Sequence, residues 1–98
     1  MILEQEIMLL GGKIYPKKDT DGNETGELGA SLDILMGYRR GDLQKTTIAK
    51  GVYLNKEFQG DISLLEKAKL FDKFIVEIEQ LETKNGLVYS LLAIDKIE

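Results

Sequence analysis

From Leu28 to Arg39 the chain alternates Leu28, Ala30, Leu32, Ile34, Met36 and Tyr38 with Gly29, Ser31, Asp33, Leu35, Gly37 and Arg39. A period of two is the pattern of a strand with one buried face, since a helix would scatter these side chains around its axis. Such a strand needs other strands to cover its apolar side. Glu6 to Tyr15 reads as one, interrupted at Gly11-Gly12 where a bulge or bend fits. Asp19 to Gly26 is then a polar, glycine-punctuated hairpin tip. A third strand falls around Gln44 to Leu54, where Thr46, Thr47, Ile48, Val52 and Tyr53 favour extended backbone and Gly51 marks a bend. In the last third, Phe74, Val76 and Ile78 alternate with charged residues. Asn85-Gly86 carries the signal of a type I′ turn, and Leu87 to Ile97 returns as a strand.

One helical segment interrupts this series. Gly60-Asp61 followed by Ile62, Leu64, Leu65, Ala68 and Phe71 predicts a short amphipathic helix with Asp61 as its N-cap, and places Phe71 and Phe74 in the core. The order predicts a mainly all-β protein, a five-stranded antiparallel OB-like barrel with one short helix between strands 3 and 4. Closure removes the edges that a flat sheet would leave. A small open β-sandwich is the alternative. With 98 residues, no repeat, no linker and Pro16 as the only proline, residues 1–98 form a single domain.

Composition narrows the function. The chain has no histidine and no cysteine, so disulfides, thiolate zinc sites and Ser-His-Asp or Cys-His catalysis are excluded, and an enzyme is not expected. Glu77 and Glu79 share one strand face, but beside Lys73 they read as the solvated side of a barrel rather than an acid/base pair. No phosphate-cradling glycine motif is present. Asp19-Thr-Asp21-Gly-Asn23 resembles the start of an EF-hand loop, yet Glu24 stands where that loop needs glycine and Ala30 where it needs a bidentate glutamate. No metal or other cofactor is therefore expected. The absence of a membrane-length apolar run and of a signal-like start leads to the expectation of a cytoplasmic protein in a bacterial host cell, with no membrane partner.

The formal charge of −4 opposes nucleic-acid binding as a whole, but its distribution does not. Residues 34–56 carry Arg39, Arg40, Lys45, Lys50 and Lys56 against Asp42 alone, a local +4. Lys13, Lys17 and Lys18 form a second basic cluster. Tyr15, Tyr38 and Tyr53 are interleaved with these cations, which is the composition of a single-strand-binding surface. Cations track phosphates, and a tyrosine ring offers a face to any base, worth roughly 1–3 kcal/mol per stacked base. Tyr15 and Tyr53 lie among polar neighbours and lean to such a site. Tyr38 fits the apolar face of its strand equally well.

The layout resembles the gene V class of phage single-stranded DNA-binding proteins. The likeness rests on an opening strand, a long polar hairpin with Lys and Gly, a strand from Gly26 to Tyr38, and the ending Lys73-Phe-Ile-Val-Glu-Ile-Glu-Gln-Leu-Glu-Thr-Lys-Asn-Gly-Leu-Val-Tyr-Ser-Leu-Leu-Ala-Ile-Asp-Lys-Ile. The resemblance implies an OB fold, a homodimer, and sequence-nonspecific binding of single-stranded DNA in phage or mobile-element replication or recombination. By the same resemblance Tyr15, Lys17, Lys18, Tyr38, Arg39 and Tyr53 would do the stacking and tracking. The chain departs from that class in its acidic balance and longer helical segment. The rival expectation is a protein-interaction module or inhibitor of a host or replication protein, its acidic strands occupying a basic partner.

Overall fold

The computed structural model describes residues 1–38 and 46–97, and the alternating segments become the walls of one closed barrel. In chain order the elements are β1 (Ile2–Lys18), β2 (Glu24–Met36), β3 (Thr47–Leu54), helix α1 (Ser63–Glu66), β4 (Lys73–Thr83) and β5 (Gly86–Lys96). Around the barrel the order is β1-β2-β3-β5-β4, and β4 closes on β1 with Ile2 opposite Glu79 and Met8 opposite Lys73. Neighbours are antiparallel except β3 and β5, which run parallel where Tyr53 meets Ser90 and Leu54 meets Leu91. This is the OB-like barrel that the element order predicts.

The parallel junction is short, and the chain after β3 lengthens it. The amide of Asn55 donates to the Leu91 carbonyl at 3.0 Å and that of Gln59 to the Leu92 carbonyl at 2.8 Å. The Asn55 side-chain amide donates to Ser90 Oγ at 3.0 Å, so the one buried polar residue among those described keeps a partner. Inside, every second residue of β2 from Ala30 to Met36 is buried together with Ile7, Val52, Phe74, Ile78 and Leu91. Each of these side chains larger than Ala30 contributes about 1.5–3 kcal/mol by leaving water. Leu28, the first apolar residue of that alternation, lies beyond the barrel and is exposed. The Gly11-Gly12 irregularity is a bulge: Leu9 pairs with Ile34 and Gly11 with Asp33, leaving Leu10 as the extra residue. The bend at Gly51 is also present, where two residues of β3 fall opposite Asp33.

Three local expectations are corrected. The helix is a single turn, Ser63–Glu66, rather than a run from Asp61 to Phe71, and only Leu65 in it is buried. The N-cap position is Ile62, so Asp61 stands one residue outside. Its carboxylate still accepts the Ser63 N–H at 2.9 Å. Hydrogen bonds from the Ser63 hydroxyl and amide, aided by the Lys67 charge, hold the Asp61 pKa below its ordinary value.

Phe71 is not in the core but 61% exposed, with φ at 73°. Its N–H donates to the Leu9 carbonyl at 2.7 Å while the Leu9 amide donates to the Asp72 carbonyl at 2.8 Å. Tied to β1 through the backbone, the residue turns its ring outward, and Phe74, at 4% exposure, fills the interior.

The last hairpin forms, but not through a type I′ turn. Thr83 pairs with Gly86, so Lys84 and Asn85 are the loop, and neither has the positive φ that type I′ requires at both positions. The left-handed conformation falls on Gly86, at φ 111°, where no Cβ opposes it.

Candidate nucleic-acid interface

The outer face of β1, β2 and β3 is the reverse of the core pattern. Between the buried Ala30 and Leu32, Ser31 points outward, paired with Lys13 on one side and Tyr53 on the other. The row across three strands is thus Lys13, Ser31, Tyr53. Two residues along, Tyr15 pairs with Gly29 and shares the outward side, because the intervening Ile14 packs against the core. Two strand spacings and a two-residue offset put the Tyr15 and Tyr53 backbones about 12 Å apart. Both rings are 38% exposed.

Gly29 seats the first of these rings. A Cβ built there would lie 2.7 Å from Tyr15 Cε2 and 2.8 Å from Cζ, so the ring rests on bare backbone with its other side open. One acid on this face, Asp33, is occupied: its Oδ1 accepts the Gly51 amide at 3.1 Å and fixes the bend that exposes Lys50, while Glu27 stands exposed at the edge of the face two residues before Gly29. The face therefore presents two aromatic rings, Lys13 and Lys50 around a carboxylate that is already hydrogen-bonded.

The other basic residues distribute as follows. Lys17 and Lys56 line a groove of about 450 Å³ near the start of β2, together with Glu27, Leu28, Leu54 and the half-buried Phe58. Lys18 is exposed beside the hairpin tip, where Asp19 Oδ1 accepts the amides of Asp21 and Asn23 at 2.9 Å each. The acidic loop residue that resembled a calcium ligand thus caps its own turn. Tyr38 joins neither the core nor the tyrosine face. Just past the far end of β2, its hydroxyl donates to Glu6 Oε2 at 2.5 Å and Lys73 Nζ lies 5.8 Å from its ring centroid. Arg39, Arg40 and Lys45 lie outside the described residues. Sequence reasoning missed Gly29, Ser31 and Phe58. The outward alternation contained the first two, but nothing local marks a glycine as the seat for a ring on another strand.

The β1–β4 flank is chemically opposite. Glu4 pairs directly with Glu77, and Glu79 lies two residues further along β4. Among the described residues no group of three or more acids is arranged to hold a metal, and no helix is long and apolar enough to cross a membrane. The fold and outer face define an OB-like barrel with an aromatic and basic sheet surface. No protein-family model, curated protein or solved structure matches the chain.

Proposed function

We propose that the chain binds single-stranded DNA without marked sequence preference, using the outer face of β1, β2 and β3. The observation that carries this reading is the convergence of Tyr15 and Tyr53 on one exposed face with Lys13 in the row of Tyr53. Bases stack on the rings, and Lys13, Lys50, Lys17 and Lys56 follow the phosphates. A role in phage or mobile-element replication or recombination, and a homodimeric state, are supported by the gene V-like layout.

The test is fluorescence anisotropy of a labelled oligo-dT titrated with the protein at two salt concentrations. The reading expects saturable binding that weakens as salt rises, because condensed counterions are released from the phosphates. Binding that is absent at low salt removes it.

The second reading, a module that occupies a basic protein surface, is favoured by the Glu4–Glu77 pairing, where like charges stand opposite at a cost in stability. It expects no oligonucleotide affinity and a partner lost on reversing Glu77 and Glu79 to lysine.

A further inference from the structure

β1 is longer than the barrel wall to which it belongs. Ile2 to Met8 pair with β4, and Leu9 completes that ladder through Phe71 and Asp72, whereas the β2 ladder continues to Lys18. Beyond Leu9, among the described residues, no strand pairs the edge of β1 that faces away from β2. An unpaired edge is a template for another strand.

The ladder fixes which backbone groups this edge offers. Leu9 turns both its N–H and its C=O towards Phe71 and Asp72, so Met8 faces β2. The extra residue at Leu10 resets the alternation; Lys13 and Tyr15 then face Ser31 and Gly29, leaving Gly12, Ile14 and Pro16 on the open side. Pro16, which has no N–H, occupies the kind of edge position that prolines take in sheets and ends the available pairing there. Gly12 and Ile14 remain.

Across from this edge runs the segment after α1, and between them lies a groove of about 440 Å³. Its apolar lining includes Leu9, Ile14, Leu32, Leu65 and Ala68, with Leu70, 57% exposed, on its rim. Lys13 and Lys69 also line it, against Glu66. After Glu6, every charged residue of β1 is a lysine: Lys13, Lys17 and Lys18. A second copy paired edge to edge about Gly12 and Ile14 would set Lys13 against Lys13, while a strand carrying carboxylates would meet Lys13 and Lys69 with opposite charge.

We propose that this open edge accepts an extended acidic peptide segment of another protein as an added strand, its backbone pairing with Gly12 and Ile14 and its alternate apolar side chains entering the groove. Backbone pairing supplies affinity and the groove selects side chains, the mode of strand-addition domains. The site shares Lys13 with the tyrosine face, but its backbone pairing at Gly12 and Ile14 is separate from stacking on Tyr15 and Tyr53.

The test uses the whole chain and a fluorescein-labelled Glu-Val-Glu-Val-Glu-Val peptide, read by anisotropy, with amide hydrogen exchange at Gly12 and Ile14 followed by NMR. The expected result is saturable binding and slowed exchange at both amides. Leu70→Glu, an exposed substitution, weakens binding at least about tenfold. So does the basic Lys-Val peptide, and so does N-methylation of every second peptide amide in one of the two frames, while Tyr53→Ala changes nothing. The proposal is overturned if both N-methylated frames bind like the parent, or if Gly12 and Ile14 exchange unchanged at saturation. It is equally overturned if those amides are protected by self-association in the free protein.

Discussion

The two halves of β1 differ in almost everything except conformation. From Ile2 to Leu9 the strand is paired along one side with β4 and the residues just before it, meets β2 on the other side from Ile7 onward, carries Glu4 and Glu6, and sends Ile7 and Leu9 into the core. From Leu10 to Lys18 it keeps only β2, carries Lys13, Lys17 and Lys18, and exposes Tyr15. The bulge at Leu10 separates the two. Closing the barrel consumes the first half, whose side chains are set by packing and by the opposing strand. The second half projects past the closure, and although Ile14 still packs against the core, its outward side chains Lys13 and Tyr15 are free to be chosen for what they bind. A strand that serves stability at one end and recognition at the other predicts that substitutions in the two halves change different observables.

The largest effect breaks the closed half. Ile78, fully buried opposite Leu3 and Leu91, when cut to alanine should destabilise the barrel by about 2–5 kcal/mol in urea unfolding. Tyr53→Ala should stay within about 0.5 kcal/mol in the same assay, as exposed positions do. Binding should reverse that order. Tyr15→Ala and Tyr53→Ala should each weaken oligo-dT affinity by about 1–3 kcal/mol, while Tyr38→Phe, which removes only the hydroxyl bonded to Glu6, should leave affinity unchanged.

Gly29→Ala sharpens the comparison without touching a ring or a charge. Its new Cβ would push the Tyr15 ring off its seat, so affinity should fall part of the way towards that of Tyr15→Ala, with the far-UV circular dichroism retained. Smaller again, Lys13→Ala and Lys50→Ala should each reduce the slope of log affinity against log salt by about 0.7, the value for one phosphate contact on a single strand. Smallest is Asp61. Its folded-state pKa is lowered from 3.8 by Ser63, so its contribution to stability is present above that value and disappears as pH falls through the folded-state pKa. Asp61→Asn should remove this acid-limb dependence and leave the neutral-pH stability close to that of the parent, measured by urea unfolding across pH.

The strands were legible because alternation is a local property. Ala30 to Met36 and Phe74 to Ile78 state their buried faces without reference to any neighbour, though the same alternation overruns at Leu28 and Tyr38, and helix-separated strand order then implies closure. What was not legible depends on registers between distant segments. Phe71 follows the helical apolar spacing, but its backbone is claimed by Leu9, sixty-two residues earlier, and the ring goes to solvent. The turn after Thr83 shifted its two-residue loop one position, to Lys84 and Asn85, so that only Gly86 of the expected Asn85-Gly86 pair is left-handed. Tyr15, Tyr38 and Tyr53 looked alike as aromatics near cations. The bulge at Leu10 and the bend at Gly51 bring the first and third onto one face, and Tyr38 is drawn to Glu6 and Lys73 instead.

The most direct test of the central claim is an NMR titration of the labelled protein with a short oligo-dT, mapping which residues respond. The account predicts that the aromatic signals of Tyr15 and Tyr53 and the amides of Lys13 and Ser31 shift together and saturate, while Glu4, Glu77 and Glu79 stay in place. Shifts confined to the acidic β1–β4 flank, or none at saturating oligonucleotide, would contradict it.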